Sequence, residues 1–387
     1  MKPQITISVS MAMAGAYGAS CPPSITAQVP GPYHRSETML ALHKRLLSCP
    51  DARSLDLRVA LEGCSAWPDR WNFPFRLAGG ERYPALTSLT LDGYRFDHSD
   101  WEDAQQEKYG GILDWINFHG AEKYVRLWID TPVDRRQLRN LELWLEAMDW
   151  SALESLELRD GVEGYFADLA PPRLMGLKHL AVKEGWKQNK SIIPRLLTSL
   201  PDSVHLQSLT WIDSQEYAGL PEVLERHCDS LKRIQLYSSM PSSVNTLSKE
   251  LLDVFAERCQ GLEQVSVALD RNGSWPWEHL ATLSRIPGLV STDIWFELSS
   301  DCMSGTTQWE PPPCDKGNLY REPRLNAFHA KEMFNFVQEQ RKKETLVPLR
   351  TMIFYEGEKV KFECNFMENG TPKGPDDELC VGVGVTG

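Results

Sequence analysis

The feature that most restricts this chain is a short apolar motif that recurs along almost its whole length. An apolar residue is followed by two variable residues, a second apolar residue, one variable residue and a third apolar residue. Clear copies are Leu86-Leu89-Leu91, Leu153-Leu156-Leu158, Leu177-Leu180-Val182, Leu206-Leu209-Trp211, Leu231-Ile234-Leu236 and Leu262-Val265-Val267. Looser copies are Ala52-Leu55-Leu57, Tyr124-Leu127-Ile129, Leu289-Thr292-Ile294 and Leu349-Met352-Phe354. The central residues stand at 55, 89, 127, 156, 180, 209, 234, 265, 292 and 352, giving steps of 34, 38, 29, 24, 29, 25, 31, 27 and then 60. One such match means little in a chain that is 42% hydrophobic; the near-regular spacing carries the signal. A position three residues ahead of each first anchor adds to it: Cys49, Tyr83, Ala121, Trp150, Leu174, Ser203, Cys228, Cys259, Ile286 and Leu346 are all apolar except Ser203.

The last two anchors of each motif are two residues apart and so lie on one face of a strand. Helical spacing fills the intervals. Asp134 is an N-cap for a face of Leu138, Leu141, Leu145 and Met148, and two further faces are Leu220, Val223, Leu224, Cys228 and Leu251, Leu252, Phe255, Cys259. A lone strand–helix unit cannot bury its apolar side, so neighbours must stack into a continuous core. Most steps fall in or slightly above the roughly 20–29 residues of leucine-rich repeats. The predicted fold class is therefore α/β, an irregular leucine-rich-repeat solenoid or horseshoe, with parallel strands on the concave face and helices on the convex face.

The motif also sets the predicted boundaries. Residues 1–35 read as a disordered or weakly signal-like segment, 36–298 as the solenoid, 299–323 as a Pro- and Cys-rich insertion loop, 324–356 as a helix plus the last repeat strand, and 357–387 as an irregular tail. The insertion accounts for the step of 60. A second interruption, Trp67-Pro68-Asp69-Arg70-Trp71-Asn72-Phe73-Pro74-Phe75, is too rich in Pro and aromatics for a helix. It reads as an ordered loop whose rings plug the core, or whose Trp67, Arg70 and Trp71 contact a ligand.

Cys228-x-x-Leu231-x-x-Ile234-x-Leu236 and Cys259-x-x-Leu262-x-x-Val265-x-Val267 resemble the cysteine-containing class of leucine-rich repeats found in F-box substrate receptors. Cys49-Pro50-Asp51-Ala52-Arg53-Ser54-Leu55-Asp56-Leu57 resembles the opening repeat of fungal F-box-like proteins. The resemblance spans roughly residues 36 to 356 and implies substrate recognition for a ubiquitin ligase. No F-box is detectable in residues 1–35, so the adaptor partner that the family implies has no matching module there.

Net charge is −12, from 41 basic and 53 acidic side chains without a basic block, which disfavours nucleic acid as partner. No apolar run reaches the length of a membrane span. No nucleophile elbow, phosphate loop or zinc-helix motif occurs, His227-Cys228 is the one close His–Cys pair, and Cys302 and Cys314 lack the paired spacing of a metal site. No enzyme activity, cofactor or metal is expected. The odd count of 9 cysteines argues against a full disulfide framework, so the helix-facing cysteines read as small core residues and Cys302 and Cys314 as free or loosely paired thiols.

Side chains alternating with the anchors should face outward from the sheet. They include Arg58, Arg126, Trp128, Arg159, Lys183, Arg233, Tyr237, Trp295 and Tyr355, a mixture of aromatics and arginines suited to a protein partner on the concave face. The expected function is a non-enzymatic protein-binding scaffold in cytoplasm or nucleus. One alternative is a secreted recognition protein, if Ile5 to Ala19 is a signal peptide and the sequons at Asn189, Asn272 and Asn369 carry glycans, and a second is an enzyme on an uncommon scaffold.

Overall fold

Each apolar motif within the described residues forms a parallel strand whose last two anchors point into a core. In this computed structural model the described residues are 21–29, 37–59, 77, 79–96, 139–184, 189–214, 217, 219–237, 246–271, 273–296, 323–356, 360–365 and 380–382. They fall into two units, Met1–Leu177 with Ser199–Val204, and Lys178–Thr198 with His205–Gly387.

In the first unit, strands β1 (Ser24–Val29), β2 (Ser54–Val59), β3 (Ser88–Asp92) and β4 (Ser155–Leu158) pair in sequence order, all parallel. Leu55, Leu89 and Leu156 stand opposite one another, as do Leu57, Leu91 and Leu158, and all six are buried. Helices α1 (Glu37–Ser48), α2 (Asn140–Ala147) and α3 (Gly164–Leu169) lie between or after the strands. Leu42 and Leu46 of α1 are buried one turn apart, and α2 buries Leu141 and Trp144. Tyr83, Trp144, Trp150 and Phe166 meet in a chain of edge and tilted ring contacts, with Trp150 Nε1 donating to the Trp144 carbonyl at 2.8 Å. Gly93 follows β3 at φ 69°, where a side chain would run into the Val59 carbonyl oxygen.

The second unit repeats the plan with β5 (His179–Lys183), α4 (Ile192–Thr198), β6 (Ser208–Ile212), α5 (Leu220–His227), β7 (Arg233–Tyr237), α6 (Lys249–Arg258), β8 (Gln264–Leu269), α7 (Trp277–Ser284), β9 (Ser291–Phe296), α8 (Ala327–Lys343) and β10 (Thr351–Glu356). Strands β5 to β10 are parallel, and one row of anchors runs Leu180, Leu209, Ile234, Val265, Thr292 and Met352. The next row runs Val182, Trp211, Leu236, Val267, Ile294 and Phe354, and both rows are buried. The anchors share one register because a slip of one residue would turn every one of them to the other face.

One hydrogen-bond arrangement recurs at the strand entries. Two consecutive N–H groups donate to one carbonyl of the preceding repeat: Thr87 and Ser88 to Arg53, Glu154 and Ser155 to Thr87, Lys232 and Arg233 to Gln207, Glu263 and Gln264 to Lys232, Val290 and Ser291 to Glu263. Each repeat thus satisfies the backbone of its neighbour, which holds the stack to a fixed rise. With the parallel strands and intervening helices, this makes the fold an α/β leucine-rich-repeat solenoid.

Several sequence expectations are corrected here. β1 lies within the segment 1–35 that reads as irregular. Strands β11 (Val360–Asn365) and β12 (Cys380–Gly382) lie within the tail 357–387 and extend the sheet antiparallel from β10. Neither strand carries the repeat motif, which is why a search for that motif passes over them. The helix expected from Asp134 is described only from its N-cap at Arg139, with Leu145 half-buried while Trp144 takes the core position. Ser203 is exposed and Val204 fills its place.

The cysteines depart most from expectation. Cys228 and Cys259 are bonded to each other, with Cα atoms 4.5 Å apart, and Cys21 is bonded to Cys49 at 5.3 Å. Cys364 is disulfide-bonded as well. Cys228 and Cys259 hold the same repeat position in adjacent repeats, so stacking brings them within bridging reach. Counting cysteines in the chain gives no sign of that adjacency.

Candidate interaction face

The outward residues of the strands form rows across each sheet. In the first unit, Arg58 and Asp92 are register partners and pair at 3.5 Å, while Arg159 donates from Nε to Glu157 Oε1 at 2.8 Å. Glu157 also accepts from Thr90 Oγ1 at 3.3 Å. The bond to Glu157 raises the already high Arg159 pKa further. Every arginine of this row therefore has its charge answered by a neighbour on the same face, and such exposed pairs contribute little to stability.

In the second unit, the row nearest the strand ends contains Lys183, Ile212, Tyr237, Trp295 and Tyr355. Lys183 Nζ lies 3.1 Å from Asp213 Oδ2. Asp213 itself has φ 60°, a left-handed conformation that Asp tolerates better than most residues. Tyr237 and Trp295 stack with ring centroids 5.0 Å apart and planes 9° from parallel. Trp295 and Tyr355 stack more closely, at 3.9 Å and 5°. Ala268, the β8 register partner of Trp295, is small enough for the rings on β7 and β9 to lean together across it.

The ring stack is braced from beneath. Trp295 Nε1 donates to Ser266 Oγ at 3.4 Å, and Ser266 Oγ donates to Asp293 Oδ2 at 3.2 Å. Ser266 alternates with the anchors Val265 and Val267 and so faces outward, but the indole covers it and leaves it 2% exposed. Beside it, Thr210 Oγ1 donates to Gln235 Oε1 at 3.0 Å. The result is a half-buried ridge of three rings with faces turned on one another and rims outward, flanked by a polar ladder. Each stacked pair contributes about 0.5–1.5 kcal/mol beyond its area burial, so the rings are held in place before anything binds.

Of the sequence-predicted positions, Tyr237, Trp295 and Tyr355 are brought together, and Lys183 lies farther along the same row. Arg233 is exposed one step back on β7, and Arg58 and Arg159 lie on the first unit's sheet. Arg126, Trp128, Trp67, Arg70 and Trp71 lie outside the described residues. The stacking of the three rings was missed. Their common place three residues after the middle anchors at 234, 292 and 352 was the available signal. His227 and Cys228 form no catalytic pair: the cysteine is in a disulfide, and His227 Nε2 is hydrogen-bonded to the Leu197 carbonyl at 3.0 Å. Burial holds that imidazole below its ordinary pKa.

No protein-family model matches the chain, and no curated protein is significantly similar to it. Among solved structures, the leucine-rich repeat-containing protein LegL7 from Legionella pneumophila is similar to this chain. The match covers 83% of this chain and 90% of that one, with 14% identity and a TM-score of 0.36. A likeness of that degree carries no argument about function, and the fold assignment here stands on the strands and their register.

Proposed function

We propose that this protein is a non-catalytic recognition scaffold whose outward sheet face binds another protein, with the Tyr237–Trp295–Tyr355 ridge at the centre of contact. The observation that carries this reading is the ring stack itself. Aromatic side chains fixed before binding lose little conformational entropy in a complex, and they are enriched where interfaces are strongest. Arg58, Arg159 and Lys183 are already paired with carboxylates, so an apolar contact over the ridge with hydrogen bonds at the polar ladder suits the face better than a highly charged ligand.

The resemblance to F-box substrate receptors offers a ubiquitin-ligase role in cytoplasm or nucleus. The disulfides weigh against that setting, because thiols there are kept reduced. They favour the second reading, a secreted recognition protein, in which the apolar run Ile5 to Ala19 serves as a leader. The test is isolation of bound proteins from native cells and medium with the wild type and with Trp295→Ala/Tyr355→Ala. A specific interactor held by the wild type and lost by a folded double variant is the expected result. Retention of every interactor by that variant overturns the proposed face, and recovery of a ligase adaptor would favour the F-box role over the secreted one.

A further inference from the structure

The sequon Asn189-Lys190-Ser191 sits in the turn that leads into α4, and both Asn189 and Ser191 are exposed. The Asn189 side chain is engaged only through its carbonyl oxygen among the described residues. Oδ1 accepts from Ser191 N at 3.1 Å and from Ser191 Oγ at 3.0 Å. The backbone carbonyl of Asn189 accepts from Ile192 N at 3.0 Å, which closes the turn.

We propose that Asn189 is an N-glycosylation site and that the folded protein carries a glycan there. An asparagine-linked sugar is attached by forming a bond from Nδ2 to the anomeric carbon of a lipid-linked donor glycan. One Nδ2 proton is lost and the lipid diphosphate leaves. Replacing one N–H at Nδ2 leaves untouched the two bonds that Oδ1 makes, so the turn and the start of α4 survive modification. The sequon hydroxyl is already held against the acceptor side chain. The exposed turn gives a bulky hydrophilic group room to extend into water.

A second, independent observation supplies the compartment. Disulfides Cys21–Cys49 and Cys228–Cys259 require an oxidising environment to form and persist, and that is where such glycans are added. The proposal thus rests on the secreted reading of this protein, and the test separates the two.

Protein purified from its native source is alkylated without reduction and then treated with a glycan-releasing amidase in heavy-oxygen water. Peptides are read by mass spectrometry. The expected result is a heavy aspartate at position 189 together with unalkylated, bridged Cys228 and Cys259. Bridged cysteines with an unmodified Asn189 overturn the glycan while leaving the secreted reading in place. Alkylated cysteines with an unmodified Asn189 overturn both. Expression through a eukaryotic secretory route gives a further check: Ser191→Ala should abolish the amidase-sensitive gel shift attributable to this site, while Ser191→Thr should retain it. A shift unchanged in Ser191→Ala also overturns the proposal.

Discussion

Arg341 makes the sharpest stability prediction. Its side chain is fully buried near the end of α8, and no carboxylate answers it in any described contact. Instead it donates to five backbone carbonyls: Nε to Val347 at 2.6 Å, Nη1 to Ser284 at 3.0 Å and Ile286 at 2.8 Å, Nη2 to Pro287 at 3.3 Å and Leu289 at 3.0 Å. Burial pushes the guanidinium pKa down to about 10, so it is still a cation at neutral pH. Hydrogen bonds from a charged donor contribute about 1.5–3 kcal/mol each, which would sum to roughly 8–15 kcal/mol for five. Desolvating the cation costs several kcal/mol in the other direction. Arg341→Met keeps the apolar stem, removes that cost and leaves the carbonyls unpaired, so the net loss should be about 3–5 kcal/mol. Arg341→Lys, with three donors on one nitrogen in place of a planar fork, should fall between. Urea unfolding followed by tryptophan fluorescence reads the midpoint, with the slope unchanged. If Arg341→Met lies within about 0.5 kcal/mol of wild type, the level of an ordinary surface change, the clamp does not hold the C-terminal repeats.

The register predicts that Ile234→Ala, at a fully buried anchor, costs about 2–5 kcal/mol while Arg233→Ala beside it is nearly neutral; reversed effects in thermal unfolding would mean the faces are exchanged. The Cys228–Cys259 bridge spans a sequence separation of 31, for which loop-closure entropy gives about 3–4 kcal/mol; Cys228→Ser/Cys259→Ser should lower the urea midpoint accordingly, and equal stability with and without reductant would contradict it. His227 is held below its ordinary 6.5, chiefly by burial and also by the nearby Arg226 charge, although its bond to Leu197 acts the other way. The unfolded chain therefore binds the proton more readily than the fold, so stability falls as pH drops from about 6.5 toward the lowered value. His227→Gln should flatten that part of the stability–pH profile. Trp295→Ala removes both stacked pairs, so it should lower stability by about 1–3 kcal/mol while leaving the protein folded, and should abolish partner binding.

The strands were legible because their anchors obey a rule that needs no partner to be known. Leu209 must face inward if Trp211 does, and equivalent position in the motif fixes which residues stand opposite. The outward face followed by subtraction, which is how Tyr237, Trp295 and Tyr355 were found without any knowledge that they touch. Their stacking depends on Ala268 leaving space between β7 and β9, a three-strand coincidence that a pairwise pattern does not register. Arg341 was invisible for the opposite reason: a basic residue in the last turn of a helix ordinarily faces water. The disulfides depended on stacking Cys228 above Cys259, which only the register supplies. β11 and β12 escaped because they are not repeats and pair antiparallel at the end of the array.

The buried polar contacts concentrate where the repeat fails. From 156 to 292 the steps stay within 24 to 31 residues, and shared carbonyls at the strand entries join one repeat to the next, as they also join β3 to β4, whose middle anchors 89 and 156 are register partners. The step from 292 to 352 is 60, and at the strand entering after it Arg350 N still donates to the Val290 carbonyl. Side chains add to this bond. Gln338 donates to the Leu349 carbonyl at 2.8 Å and accepts from Leu349 N at 3.1 Å. Arg341 gathers carbonyls from 284 to 289, and the buried Arg271–Glu356 ion pair ties the end of β8 to the end of β10 while Arg271 also reaches the Pro323 carbonyl. An insertion can thus be accommodated in a solenoid when long polar side chains add to the pairing that each repeat performs with its backbone. The consequence is local: a substitution at Gln338, Arg341 or Arg271 should loosen β10 and, with it, Tyr355. The outer ring of the ridge would then move without any substitution in the ridge itself.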